Sequence, residues 1–439
     1  MTQTLTGHGT PARGGGRLTA GQGAALYVGA VLGTGVIALP ALAAQAAGPA
    51  SLIAWLGLVL LSVPLAATFA ALGARYPDAG GVSTYVRLAF GPRAAAVVGW
   101  CFYFAIPAGA PAAAIFGGAY VSSALGGGQR TVTLTAVVLM IAVTAVNALG
   151  VTVSGRVQLV LAALLVALLL AAVIASAPHA RMANLQPFAP HGWLAIGTAA
   201  ALLVWSFAGW AAITHLAADF RRPARDLPRA AAVAVVLVGV LYLAVATASI
   251  LVLGPAAGAS QAPLAELLAI GAGGHVKMLA AAAALLLTLG TMNAYYAAAA
   301  KLGAALGRDG ALPGWLARGS SAGTVPRRSL AVVSGLSGLT LGVATVCAVG
   351  PKPLVLLTTG SFVTVYALGT AAALRLLPRG GWAHRAALVA LVAVGLLLVM
   401  TGWYLLWPLV VTAGALLYLR LRRAGDRPAA RLSPSRHPS

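Results

Sequence analysis

Long apolar runs separated by short polar and charged segments dominate the pattern of this chain. Runs of about 18 or more apolar residues are typical of helices that cross a membrane. About twelve such runs can be distinguished, and each predicts one membrane-spanning helix. Their approximate bounds are 20–46, 50–73, 94–123, 131–150, 157–177, 192–217, 229–253, 276–300, 329–349, 352–374, 384–400 and 402–419. The pattern therefore predicts an all-α membrane protein with about 12 transmembrane helices.

The few charged residues lie almost entirely between these runs. The chain has 28 Lys/Arg but only 6 Asp/Glu, which gives a formal net charge of +22. With the N-terminus on the cytoplasmic side, only four cations fall on the opposite side: Arg130, Arg181, Lys277 and Lys352. Because cytoplasmic loops retain Lys and Arg, this asymmetry predicts a multi-pass protein of the cell inner (plasma) membrane with both termini cytoplasmic.

A basic chain is also typical of proteins that bind nucleic acids. Here the arginines are spread over alternate loops without any nucleic-acid-binding motif, so we expect contact with anionic inner-leaflet lipid and no nucleic-acid partner. The polar terminal segments 1–17 and 422–439 are predicted to be disordered and cytoplasmic. Residues 18–421 then form a single transmembrane domain, whose oligomeric state the sequence leaves open.

Two of the predicted spans contain residues that disfavour a continuous helix. The first span carries Gly33-Thr34-Gly35 near its middle, followed by Pro40. The sixth carries Gly209 between aromatic residues. Within hydrocarbon, broken backbone is tolerated where it is buried in protein or lines a wet cavity, although small residues also serve close helix packing.

Paired interruptions at corresponding positions are typical of transporters built from inverted repeats. We therefore expect two inverted five-helix repeats, at about 18–177 and 192–374, with helices 11 and 12 at about 384–419 outside them. Exposed N–H groups at a break suit a carboxylate, and freed C=O groups suit an ammonium, so a zwitterionic α-amino acid fits both. The candidate substrate-binding residues are Gly33, Thr34, Gly35, Trp205, Ser206, Phe207, Ala208, Gly209 and Trp210.

No Asp or Glu lies in the middle of any predicted span. A pocket without a carboxylate has no strong partner for a cationic side chain, which disfavours Lys, Arg and polyamine substrates and favours aliphatic or thioether side chains. Candidate coupling or gating residues are His215, Asp219, Arg225, Asp226, Thr288, Thr291 and Asn293. His215 could titrate near neutral pH and carry the coupled proton, or it could be an interfacial histidine without a role in coupling. The helix 8 oxygens could contribute to a sodium site or bond their own helix.

The acidic and basic residues after helix 6 suggest a second pair of alternatives. Arg225 with Asp226, and Asp219 with Arg222, could form salt bridges of a cytoplasmic gate or act as static topology anchors. Cys101 and Cys347 both lie in predicted membrane segments, so no disulfide, metal site or cofactor is expected.

Four segments resemble the amino acid–polyamine–organocation (APC) superfamily of transporters. Residues 33–37 resemble its helix 1 break, 76–91 its loop after helix 2, 215–230 the stretch after helix 6, and 289–313 helix 8 with its exit. The resemblance extends along nearly the whole length of the chain. The resemblance implies an amino acid transporter of the LeuT-like fold.

A narrower likeness is to bacterial exporters of methionine and branched-chain amino acids. The segments that carry it are 32–36, 79–82, 89–91, 106–109 and 215–229. Two positions depart from other relatives: Ala211-Ala212 stand where many carry a Glu, and helix 5 has only Arg156 and Gln158 where some proton-coupled relatives carry a Lys. Those relatives' coupling residues are therefore not transferred to this chain.

The sequence thus predicts a secondary active transporter of neutral, apolar amino acids: methionine, leucine, isoleucine and valine. The resemblance implies efflux or exchange by alternating access. Proton linkage is expected because the sequence shows no convincing set of sodium ligands. An importer of the same fold remains an alternative. A membrane-embedded enzyme would need a catalytic set that the sequence lacks, a receptor would need a signalling domain, and an ATP-driven pump would need a P-loop.

Overall fold

The structure is a computed structural model that describes residues 18–77, 80–150, 155–320 and 325–426. These residues are helical, apart from loops and one isolated bridge between Leu18 and Phe220. The described α-helices are α1 (Ala20–Leu32), α2 (Gly35–Ala47), α3 (Ser51–Arg75), α4 (Val82–Phe90), α5 (Pro92–Leu125), α6 (Gln129–Ala148), α7 (Gly155–Ser176), α8 (Ala195–Phe207), α9 (Pro223–Ala248), α10 (Pro263–Ala272), α11 (Val276–Arg308), α12 (Arg327–Val346), α13 (Pro351–Leu376), α14 (Trp382–Thr401) and α15 (Leu406–Asp426).

The helices cover every apolar run that the sequence predicts to span the membrane. Within the described ranges, nine segments are long and apolar enough to cross a membrane by length and composition. Some hold more than one helix, such as the 41-residue segments Gly35–Arg75 and Trp382–Arg422. The all-α membrane class is therefore confirmed, whereas the count of twelve spans stays a prediction.

Both predicted helix interruptions are present. The first apolar run is divided into α1 and α2 at Gly33 and Thr34. In the sixth, α8 ends at Phe207 and the chain continues as a 3-10 helix, Ala208–Asp219. The changed hydrogen-bonding pattern leaves backbone groups at both places in need of new partners.

Two helices form the centre of the bundle. The long helix α5 packs against α11, α13 and α6, and α13 also packs against α14 and α8. These two helices are the most enclosed of the apolar segments, whereas α6 and the 382–422 segment are the least. The limited burial of α14 and α15 agrees with the peripheral position expected for the last two spans.

The outer surface of the bundle is apolar. Large side chains such as Ile141 on α6, Val236 on α9 and Val399 on α14 are mostly exposed, at 64%, 67% and 76%. An apolar surface of this extent suits contact with lipid tails, since polar backbone is satisfied inside the helices.

The chain ends differ in part from the prediction. Helix α15 continues to Asp426, so the tail predicted to be disordered from residue 422 begins as helix. The rest of that tail, 427–439, and the N-terminal segment 1–17 lie outside the described residues.

Candidate substrate site

The break between α1 and α2 is set by its glycine residues. Gly33 ends α1 with a φ of 21° and a ψ of −156°, a conformation in which a side chain would be strained. Thr34 follows with helical angles but starts a new hydrogen-bonding register at Gly35. Thr34 is 2% exposed, so the break is buried within protein, as expected for irregular backbone at membrane depth.

The two breaks contact each other directly. A Cβ atom added at Gly35 would overlap the Ser206 Oγ atom and would lie 3.1 Å from both the Ser206 Cα and the Trp205 Cδ1 atoms. Gly35 therefore permits close approach of α2 to α8. The substrate-binding role predicted for Gly35 stays a prediction.

Three buried tyrosines donate hydrogen bonds to backbone carbonyl groups beside the breaks. The Tyr242 hydroxyl lies 2.7 Å from the Val31 carbonyl oxygen and 3.1 Å from that of Ser206, so it links the first break to the second. Tyr366 donates to the Phe207 carbonyl at 2.7 Å, and Tyr120 donates to the Ile37 carbonyl at 2.6 Å. Each hydroxyl thus places a hydrogen-bond donor against a backbone carbonyl in a low-dielectric interior.

Sequence reasoning missed these tyrosines. A tyrosine in the middle of an apolar span was the signal in the sequence. It predicts a buried hydrogen bond, because a buried Tyr hydroxyl usually has a partner. The partner itself lies up to 211 positions away in the chain, so only the fold identifies it.

A small cavity lies beside the breaks, between α5, α8, α11 and α13. Its volume open to the centre of a water molecule is about 30 Å³. That is room for about two water molecules, so an amino acid requires local opening. Its lining residues are Thr34, Ala105, Ile106, Gly109, Ala110, Ala113, Trp205, Thr291, Met292, Tyr295, Thr358 and Phe362.

Only part of the predicted substrate set faces this cavity. Thr34 and Trp205 line it, together with Thr291 from the predicted coupling set. The walls from α5 and α13 were not predicted. Gly109 on α5 brings these walls together, since a Cβ there would lie 3.0 Å from Trp205 and 3.2 Å from Thr358.

Other predicted residues of the sixth span face elsewhere. Ser206, Phe207, Gly209 and Trp210 are buried but do not line the cavity. The Trp210 indole donates to the Ser62 hydroxyl at 3.1 Å, on α3. Tyr366 already donates to the Phe207 carbonyl, so a substrate amine that binds there would share this oxygen with the phenol. Ala208 begins the 3-10 helix.

The predicted helix 8 oxygens have different surroundings on α11. Thr291 lines the cavity, but Thr288 packs against α5, where a Cβ at Gly117 would lie 3.2 Å from its Oγ1 atom. Asn293 accepts a hydrogen bond of 2.8 Å from the Asn147 amide, which joins α11 to α6. These positions favour helix packing for Thr288 and Asn293, while Thr291 remains available to a ligand.

The proposed gate residues lie where the 3-10 segment meets α9. The Asp219 carbonyl accepts a hydrogen bond from the Leu18 amide at 2.9 Å, and Asp226 lies in the first turn of α9, where the helix dipole favours a carboxylate. Among the described residues, no ion pair joins Asp219, Arg222, Arg225 and Asp226, so the expected salt bridges are not formed here. The His215 backbone belongs to the same 3-10 helix, and its side chain lies outside what the structure describes.

A wide vestibule leads towards the small cavity. It admits the centre of a water molecule over about 1010 Å³ and shares Ile106, Tyr295 and Phe362 with the cavity lining. Its mouth carries basic side chains on the side that the charge pattern predicts to be cytoplasmic, which we name the basic face. The cavity is thus separated from the basic face by these three side chains.

Comparison with known proteins agrees with this architecture. Residues 22–435 match the family model described as amino acid permease. The chain is 33% identical to the uncharacterized amino acid permease YecA of Bacillus subtilis over 401 residues, 91% of this chain and 95% of the relative. It is 34% identical to the L-methionine/branched-chain amino acid exporter YjeH of Escherichia coli over 415 residues, 92% and 96% of the two chains. It is also 27% identical to the branched-chain amino acid permease BcaP of B. subtilis, over 50% and 51% of the chains.

These matches cover nearly the whole bundle, including both helix breaks and the cavity. They agree with the superfamily that the sequence motifs resemble. The chain is therefore a multi-pass membrane protein of the amino acid permease family, within the APC superfamily, and a transporter of amino acids rather than an enzyme.

Proposed function

We propose that this permease is a secondary active transporter of neutral, apolar amino acids, with methionine, leucine, isoleucine and valine as substrates. The observation that carries the proposal is the lining of the small cavity. Its side chains are apolar or hydroxyl-bearing, and none of the described lining residues is Asp, Glu, Lys or Arg. Burying a charged side chain there without a partner costs several kcal/mol, about 100-fold or more in affinity.

The lining of the cavity supports separate binding positions for the carboxylate and the side chain of the substrate. Thr34 lies at the break between α1 and α2 and places its hydroxyl in one wall of the cavity. The substrate carboxylate can bind at this wall. Trp205, Met292 and Phe362 provide an apolar wall for an aliphatic or thioether side chain. Since the cavity is tight, substrate binding includes movement of these side chains, as alternating access requires.

Export or exchange is the proposed direction. The printed name of the E. coli relative, an exporter of methionine and branched-chain amino acids, supports it. The vestibule also opens towards the basic face, the side from which an exporter takes up its substrate. An importer of the same fold is the alternative, since the printed name of the B. subtilis relative, a branched-chain amino acid permease, does not specify export.

The proposed orientation is in the cell inner membrane with both termini cytoplasmic. The proposed organisation is two inverted five-helix repeats, about 18–177 and 192–374, with the helices at 384–419 peripheral. The matched interruptions in α1–α2 and after α8 support this division.

Proton linkage is proposed through His215, the histidine of the 3-10 segment that follows α8. Thr291 lines the cavity and Thr288 does not, which supports proton linkage over a sodium site inside the cavity that uses both hydroxyls. We expect His215→Ala to uncouple leucine flux from an imposed pH gradient while leucine exchange persists. Concentrative transport by this variant under a pH difference alone would exclude His215, and flux that follows a sodium gradient at fixed pH would exclude the proton.

The central test is flux in sealed proteoliposomes without ATP. We expect leucine, methionine, isoleucine and valine to exchange unmodified, and lysine to compete about 100-fold less well than leucine. Equal competition by lysine would contradict the assignment of the cavity. Chemical conversion of the amino acid in place of flux would indicate an enzyme.

A further inference from the structure

The vestibule gathers cations from four helices around one space. The charged residues that line it are Arg87 on α4, Arg93 on α5, Lys301 and Arg308 on α11, and Arg422 on α15, with Asp309 as the one carboxylate in the described lining. These residues are far apart in the sequence, so the fold brings them together. Cavities lined by one sign of charge concentrate ions of the opposite sign.

Membrane topology explains the side on which these cations lie but not their convergence. Several cations elsewhere on the basic face have protein partners: Arg375 lies 4.4 Å from the Phe90 ring centroid and donates to the Ala89 carbonyl, and Arg328 lies 5.6 Å from the Trp315 ring centroid. In the vestibule, Arg308 lies 3.3 Å from the Ser320 hydroxyl. The structure gives the other four no side-chain hydrogen bond or ion pair among the described residues.

The fold holds the rim of the vestibule in place. The Trp100 indole on α5 donates to the Ala311 carbonyl at 2.7 Å, just after α11 ends. Its ring also lies 6.1 Å from that of Tyr418 on α15. The Arg422 guanidinium contacts Gly310, where a Cβ atom would overlap it, and the φ of 72° at Gly310 also favours glycine. Helices α5, α11 and α15 are thus tied together beside the cationic side chains.

We propose that this vestibule is a binding site for a phosphate-bearing anion with two or more negative charges, separate from the amino acid cavity. Guanidinium groups match phosphate oxygens in pairs, and the unpartnered cations supply the charge. A zwitterionic amino acid has no net charge and gains little from such a field. The phosphate can come from a free anion or from a phospholipid headgroup at the membrane surface, and in either case its occupant lies between the basic face and the cavity.

The test is binding of pyrophosphate to the full-length protein in nanodiscs of zwitterionic phosphatidylcholine, measured by calorimetry at constant ionic strength. We expect saturable binding that the double variant Lys301→Gln/Arg422→Gln weakens about tenfold or more. The matched control is Arg379→Gln/Arg385→Gln, which removes the same charge from exposed residues that do not line the vestibule. The exchange Lys301→Arg/Arg422→Lys, which keeps the charge, should retain binding and so separates charge loss from misfolding.

A second arm distinguishes the source of the phosphate. Nanodiscs that also contain cardiolipin, whose headgroup carries two phosphates, should leave pyrophosphate binding unchanged if the occupant is a free anion, and should abolish it by competition if the occupant is a lipid headgroup. Both outcomes support the site. Absence of saturable binding in phosphatidylcholine, or equal weakening by the two Gln double variants, would overturn it. Because binding is measured without transport, the result is independent of the proposed amino acid substrates.

Discussion

Removal of a single hydroxyl, by Tyr242→Phe, tests whether the two helix breaks depend on a shared donor. Tyr242 is fully buried, and its hydroxyl lies within hydrogen-bonding distance of the Val31 and Ser206 carbonyl oxygens, at 2.7 and 3.1 Å. Phenylalanine keeps the ring that packs against Trp55 at 5.1 Å between centroids. The substitution therefore leaves the packing in place and removes the donor that joins the breaks.

The expected magnitude follows from the acceptors left behind. A buried backbone carbonyl that loses its partner costs about 1–3 kcal/mol. One phenolic proton is shared between two oxygens here, so we expect a loss of about 2 kcal/mol in the free energy of unfolding. For a chain of this length, that corresponds to a decrease of about 2 °C in Tm.

Thermal unfolding of the purified protein, followed by circular dichroism with and without leucine, measures this effect. The matched control is Tyr27→Phe, because Tyr27 is equally buried and its hydroxyl has no hydrogen-bond partner among the described residues. Removing that hydroxyl should leave Tm unchanged or slightly higher. If both variants unfold at the wild-type temperature, or if both lose the same stability, the Tyr242 hydroxyl does not support the breaks.

Three further substitutions test the packing around the site. Gly35→Ala should cost about 1–3 kcal/mol and weaken leucine binding because its Cβ overlaps α8, whereas Gly57→Ala, which faces open space on α3, should be neutral or stabilising in the same unfolding assay. Asn147→Ala should lower stability by about 1–3 kcal/mol through the unpaired Asn293 oxygen, and unchanged unfolding would refute that bond's role. Phe362→Ala, which removes a wall shared by cavity and vestibule, should raise the Kd for leucine about tenfold in equilibrium binding, and an unchanged Kd would show that this wall does not contact substrate.

Prediction from the sequence succeeded where the signal is local. Apolar run length gave the helices, because a segment in hydrocarbon must satisfy its own backbone groups. Gly33 and Gly35 gave the first break, and Gly209 marked the second, since glycine weakens a helix wherever it stands. Thr34 and Trp205, both predicted to bind substrate, line one cavity together with Thr291, which was predicted as a coupling or gating residue.

The remaining expectations depended on which face of each helix meets which neighbour. Gly35 was predicted to bind substrate, and only the fold shows that its missing side chain lets α2 approach Ser206 and Trp205 of α8. Thr288 lies three positions from Thr291 on the same side of α11 and also faces α5, yet it packs against Gly117 and does not line the cavity. Where the cavity ends along α11 depends on the residues of α5 that face it. The expected salt bridges after helix 6 depend on side-chain rotamers at a solvated surface, which the adjacent charges in the sequence do not determine.

The sequence by itself determined the membrane class, the helical architecture, the charge asymmetry and the positions of the two breaks. Each of these follows from composition or from a property of a few consecutive residues. Only the tertiary structure decided that Tyr242 and Tyr366 satisfy the carbonyls at the breaks, that α5 and α13 provide cavity walls, and that cations of four helices converge on one vestibule. These arrangements join residues up to hundreds of positions apart, and the packing of whole helices, rather than any local preference, selects the partners.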